Sequence, residues 1–185
     1  MLITSVIKTF LLLSLFFLIS ACKPTLIHSE QGYFTVNEQS SIEILQPLQV
    51  SPNSARAFLQ NGELKPQGNI NLYQVHCEVE INTVSEQSQM INPGRYDVIS
   101  IQQDESPIVM ATPIKVASLS LSWADTSPVD IKRYYYFRLS PHDDTSSPQV
   151  RGVTCRGVQS EPYNAKLPTL EEMKQAVGGN LQFYF

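Results

Sequence analysis

Leu72-Tyr73-Gln74-Val75-His76-Cys77-Glu78-Val79-Glu80-Ile81 is the stretch that decides the fold class of this chain. Apolar side chains at Tyr73, Val75, Cys77, Val79 and Ile81 alternate with polar ones at Gln74, His76, Glu78 and Glu80. A period of two places one set on a buried sheet face and the other toward water. The stretch 72–84 is therefore expected to be a strand with a solvated polar row.

The same period recurs on both sides. Ile42, Ile44, Leu48 and Val50 share a parity, with Pro47 marking a bulge or an edge strand. A short strand at 56–59 precedes the turn dipeptide Asn61-Gly62, and Asn92-Pro93-Gly94 is a turn before a strand at 95–102. At 113–123 the apolar parity slips once near Ala117-Ser118, as a β-bulge would make it. Strands at 131–139 and 148–159 follow. The expected fold is mainly β: an antiparallel β-sandwich or partly closed barrel of about seven strands, with one short C-terminal helix. That helix starts at the capping box Thr169-Leu170-Glu171-Glu172 behind Pro168 and stops at Gly178-Gly179. Leu170, Met173 and Val177 would form its buried stripe.

The N-terminus carries an address. Residues 9–21 are an apolar run preceded by Lys8, the pattern of a secretory signal peptide. Thirteen helical residues span roughly 20 Å, short of a ~30 Å hydrocarbon core, which disfavours an uncleaved anchor. The run ends in Ile19-Ser20-Ala21-Cys22, which resembles the lipobox of bacterial lipoproteins. The resemblance implies cleavage before Cys22 and acyl chains on that residue. Lys23 follows, not the aspartate linked to inner-membrane retention, so the resemblance favours the outer membrane, periplasmic face, over the inner membrane. The expected organisation is a cleaved signal peptide at 1–21, an acylated cysteine and flexible tether at 22–40, and a single β-rich domain at 41–185.

With Cys22 assigned to lipid, Cys77 and Cys155 form the even pair expected of an exported protein. Both sit on apolar parities, so both thiols should face the core. A bridge closing that loop would contribute on the order of 4.5 kcal/mol in the chain-entropy model. Two buried free thiols are the alternative. A reactive Cys77 assisted by His76 is disfavoured, because strand neighbours point to opposite faces. Without residues 1–21, the chain has 12 basic and 17 acidic side chains. Such an excess of acid argues against nucleic acid as a partner, since that affinity comes from Lys and Arg on phosphates.

Three constellations are candidates for function. Lys132, Tyr134, Tyr136 and Arg138 share one parity of 131–139, opposite Arg133, Tyr135 and Phe137, and would make an aromatic and cationic strip of the kind enriched in binding hot spots. The plainer reading is that the tyrosines only pair across strands. His142-Asp143-Asp144 offers a base and two acids, although turn chemistry explains it adequately. His76, Glu78 and Glu80 stand in a straight row about 7 Å apart, too far for one ion, so no metal or other cofactor is expected. Leu181-Gln182-Phe183-Tyr184-Phe185 is similar to the C-terminal signal of outer-membrane barrels. A final strand closing a soluble sheet is simpler, since a lipobox would be redundant on a barrel.

ARAFLQNGE (55–63), NLYQVHCEVEI (71–81), PGRYDV (93–98), PQVRGVTC (148–155) and LPTLEEMKQAVG (167–178) together resemble an uncharacterised family of gammaproteobacterial envelope lipoproteins. The resemblance brings no activity with it. The expected function is a non-enzymatic binding or assembly module, held to the membrane by lipid on Cys22 and engaging an envelope protein or cell-wall partner. A periplasmic hydrolase using His142, Asp143 and Asp144 is the alternative, as is a barrel that holds lipid or cell-wall fragments.

Overall fold

A computed structural model of the chain describes residues 25–29, 32–36, 40–108, 129–142 and 150–185. Twelve strands and one α-helix are present among them. In chain order the strands are β1 (Thr25–Ser29), β2 (Gly32–Val36), β3 (Ser41–Ile44), β4 (Leu48–Val50), β5 (Arg56–Gln60) and β6 (Glu63–Lys65). They continue with β7 (His76–Ile81), β8 (Gln89–Ile91), β9 (Gly94–Pro107), β10 (Ile131–Pro141), β11 (Val150–Arg156) and β12 (Leu181–Tyr184). Helix α1 (Leu170–Val177) lies between β11 and β12.

Eight strands form one antiparallel half-barrel in the order β12-β3-β9-β10-β11-β7-β5-β6. The pairs β1-β2 and β4-β8 are separate two-stranded ribbons. The mainly β, antiparallel expectation with one C-terminal helix is met by a half-barrel. Residues 113–123, read as a bulged strand, lie outside the described residues. A bulge does occur elsewhere: Arg138 pairs with Ser100 and Leu139 with Val98, which leaves Ile99 as the extra residue, 56% exposed.

The core is built from one parity of each central strand. Cys77, Val79 and Ile81 on β7 face Val153 and Cys155 on β11, Tyr135, Phe137 and Leu139 on β10, and Tyr96 and Val98 on β9. Phe137 is the hub of an aromatic cluster, with ring centroids 5.9 Å from Phe183 and 5.6 Å from Phe185. Helix α1 closes this face with Met173, Ala176 and Val177. The predicted stripe thus gains Ala176, while Leu170 is only half-buried. The capping box forms as read: Glu172 N donates to Thr169 Oγ1 at 3.2 Å, and Thr169 N donates to Glu172 Oε2 at 2.8 Å.

Asn61 and Gly62 both adopt positive φ, 55° and 78°, and join β5 to β6 in a two-residue turn. This turn packs on the end of α1. Gly62 N donates to Ala176 O at 3.0 Å, and Asn180 Nδ2 donates to Gly62 O at 2.8 Å. Gly178, with φ 54°, stands so close that a Cβ there would lie 2.5 Å from Gly62 Cα.

Several boundaries differ from the sequence reading, four of them with consequences for the fold. Strand β7 begins at His76, not at Leu72, because Asn71 makes a turn: its Oδ1 accepts from Tyr73 N at 3.0 Å, and its backbone is held at both ends by the Gln60 amide. The 41–50 stretch divides at Pro47, so Leu48 and Val50 keep their buried parity but pair with β8. Strand β9 runs five residues further than expected, to Pro107. Finally, Thr25–Ser29 and Gly32–Val36 pair as an antiparallel hairpin within the stretch read as a flexible tether. A segment without apolar alternation can still satisfy its backbone by pairing with itself.

Candidate functional site

The face of the sheet opposite α1 carries most of the chemistry-bearing residues. Register places them in rows across β9, β10, β11, β7 and β5. One row reads Asp104, Tyr134, Arg156 and His76; the next Gln102, Tyr136, Thr154, Glu78 and Phe58; the third Ser100, Arg138, Gly152, Glu80 and Arg56. Cross-strand neighbours on such a face lie close enough to pair directly.

Glu78 is the centre of the arrangement. Arg156 Nε donates to its Oε1 at 2.6 Å, His76 Nε2 lies 3.6 Å from the same oxygen, and Arg56 lies 3.3 Å from Oε2. Arg56 also reaches Glu80 at 3.2 Å, where Thr154 Oγ1 donates as well, at 3.2 Å. Arg156 sits over the Tyr134 ring, 4.6 Å from its centroid. Burial alone would raise the Glu78 pKa, but hydrogen bonding to His76 and the charges of Arg156 and Arg56 hold it at about 2. Lys132 Nζ is enclosed near these cations and has no hydrogen-bond acceptor among the described residues. Burial, reinforced by Arg156 and opposed by Glu78, brings its ammonium down to about 8.

Two sequence expectations are corrected by this geometry. The polar row of β7 is not solvated: His76 and Glu78 are 3% and 4% exposed. Lys132, expected on an exposed strip, is likewise 3% exposed. In each case alternation assigned the parity correctly but not what surrounds it. Arg156, Thr154 and Arg56 come from strands distant in sequence and supply partners for Glu78 and Glu80, whereas Lys132 gains no acceptor from them.

The remaining strip residues divide. Tyr134 is half-buried; its hydroxyl lies 3.4 Å from Asp104 Oδ2, and burial followed by that carboxylate raises its pKa. Tyr136 is also half-buried and lies over Gly152, where a Cβ would meet its ring at 2.7 Å. Both tyrosines therefore have cross-strand partners, and Arg138 is the exposed member. Within this cluster the Glu78 carboxylate stays ionised at neutral pH, while Lys132 Nζ and Glu78 Oε2 are enclosed without a hydrogen-bond partner among the described residues.

His142 Nδ1 lies 3.1 Å from Asp97 Oδ2 on the exposed end of the β9-β10 ribbon. Its partner is thus Asp97, which the sequence reading did not single out. The adjacency of 97 and 140 in the ladder is a tertiary fact no local pattern carries. Asp143 and Asp144 lie outside the described residues, as does Cys22. Among the described residues no group of three or more His, Cys, Asp or Glu side chains could hold a metal ion.

Cys77 and Cys155 are bonded, directly opposite each other on β7 and β11, with Cα atoms 4.1 Å apart. Both are 0% exposed. Tyr135, Phe137, Met173, Val177 and Phe183 are packed together in the interior between the sheet and α1. No helix among the described residues is long and apolar enough to cross a membrane.

Comparison with family models, with curated proteins and with solved structures finds no match to this chain.

Proposed function

We propose that this chain is a lipoprotein of the bacterial cell envelope, held by acyl chains on Cys22 at the periplasmic face of the outer membrane. Its β domain acts there as a non-enzymatic binding or assembly module for an envelope protein or cell-wall partner. The observation that carries the reading is the buried Cys77–Cys155 bond. A buried bridge between two neighbouring strands of a core belongs to an oxidising compartment, and the lipobox-like Ile19-Ser20-Ala21-Cys22 names the route to one.

The rest of the domain fits a platform. On the second face Glu78 and Glu80 are paired with Arg156 and Arg56, and the exposed guanidinium of Arg138 beside Tyr136 offers the cation and ring favoured at binding hot spots. Site-specific photocrosslinking from Arg138 and Tyr136 in living cells tests the binding role, with a discrete crosslinked species as the expected result. Crosslinks to lipid only, or none, would count against it. Labelling with a palmitate analogue tests the address separately: wild type should take the label and Cys22→Ser should not. Unlabelled wild type sinks the anchor.

A further inference from the structure

Away from the charged face, an open groove runs between the turn that enters β7 and the exposed side of α1. It consists of two adjoining hollows of about 240 and 180 Å³. Val75, Val158 and Glu172 line both, which makes them one continuous depression. Tyr73, Asn61, Gln74 and Gln175 line the larger hollow.

We propose that this groove binds a neutral saccharide, with the Tyr73 ring as the stacking surface and the Asn61, Gln74 and Gln175 amides as the hydrogen-bonding rim. A sugar ring presents an apolar face of C–H groups and an edge of hydroxyls, each both donor and acceptor. A complementary site needs an accessible aromatic plane beside groups that donate and accept together, and the carboxamide is the side chain that does both without charge. Tyr73 is 64% exposed, unusual for an aromatic residue next to a core strand. Its backbone is nonetheless fixed, because Asn71 Oδ1 accepts from Tyr73 N and the Gln60 amide braces Asn71. Asn61 is held in the left-handed turn and donates to Gln74 Oε1 at 3.2 Å, leaving the Asn61 carbonyl and the Gln74 amino group for a ligand. Among the described residues, no hydrogen bond engages the Gln175 side chain.

The lining also argues against other ligands. Its charged members are Glu172 and Lys166, one of each sign, which gives no selection for phosphate or a polyanion. Val75, Val158, Ala176, Leu167 and Pro168 line an open depression rather than an enclosed tunnel, too shallow an apolar floor for an acyl chain. Two hollows in series suit a short oligomer better than a single ring. The inference stands on the groove alone; only the source of the saccharide, cell-wall glycan or lipopolysaccharide core, rests on the envelope reading.

The test is titration of the isotope-labelled full chain, in a sugar-free detergent, followed by amide chemical shifts. The probes are chitotriose, a neutral outer-core hexose oligosaccharide of lipopolysaccharide free of phosphate and acidic sugars, and a set of unstructured peptides. Saturable shifts at residues 61, 73, 74 and 175 with a saccharide are expected. Tyr73→Ala should weaken binding about tenfold, as loss of one buried aromatic face would. Gln175→Ala, a second exposed position that folding does not depend on, should weaken it as well. Tighter binding of chitotriose assigns the cell-wall source, and tighter binding of core oligosaccharide assigns the other. Absence of saccharide shifts at millimolar probe, shifts indifferent to Tyr73→Ala, or shifts with peptides alone would each overturn the proposal. Because lipidation and crosslinking play no part in this readout, its failure is distinct from failure of the anchor reading.

Discussion

Glu78 and Lys132 respond to pH in opposite ways, and each response can be measured. The Glu78 carboxyl is held at about 2 against an ordinary value of 4.5. A depressed folded-state pKa gives stability that is complete above about 4.5 and lost as pH falls toward 2. The difference corresponds to about 3 kcal/mol, so Glu78→Gln should remove most of the loss of stability seen on acidification across that window in urea melts. At neutral pH the same substitution should destabilise, because Arg156 and Arg56 lose their shared counter-charge. Lys132 runs the other way. Its ammonium falls from 10.5 to about 8, so between those values the unfolded chain binds more protons and stability rises with pH. Below 8 the charge is present in both states and its full burial cost is felt. Lys132→Met should therefore stabilise the domain at pH 7 by about 2 kcal/mol and flatten the stability curve between 8 and 10.5. A loss of stability in that variant would mean the ammonium has an acceptor. None of this was legible in 72–81 alone: alternation separates two parities, and the counter-charges on Arg56 and Arg156 arrive only with the sheet's register.

Among the elements, legibility followed how local the determining contacts are. Helix α1 is announced by Thr169 and Glu172, which satisfy each other within four residues, and it forms where it was expected. The turn at Asn61-Gly62 is equally local, yet β6 behind it was missed because Glu63-Leu64-Lys65 has no alternation long enough to register. β8 escaped for the same reason, being three residues whose pairing is set by β4. What the sequence could not convey is that the two local signals meet. Gly178 has φ 54° and presses its Cα side against Gly62, so the contact itself requires glycine at 178, while Gly62 is favoured by its own positive φ of 78°. Gly178→Ala should therefore cost more than the ~1 kcal/mol of a left-handed alanine, since the added Cβ would have to displace backbone. Thermal unfolding should show the drop. Gly179→Ala is the control, because a Cβ there meets nothing within 4 Å, and it should change stability by a few tenths of a kcal/mol.

At the scale of the whole molecule, the half-barrel depends on β7 and β11 staying in register, because both faces are assembled across that seam. On one side of it lie Cys77, Val79, Val153 and Cys155; on the other, Glu78, Arg156 and Thr154. A single bond at Cys77–Cys155 thus holds a core face and a charged face together, and a slip by one residue would exchange the two. The cysteine count, with Cys22 assigned to lipid, foresaw the pairing, and alternation put both thiols on the core face, but neither gave a reason for it beyond compartment. The register supplies that reason. Cys77→Ala combined with Cys155→Ala should lower stability by about 4.5 kcal/mol, the loop-closure contribution for a separation of 78 residues. More telling is how the loss is shared. If the seam is the common support, aromatic signals from the Phe137–Phe183 cluster and the titration of Glu78 should disappear over one denaturant interval in both wild type and variant, with coincident midpoints shifted together. A variant in which the charged face melts first while the aromatic cluster persists would show that the two faces are held independently, and that the bond serves the core alone.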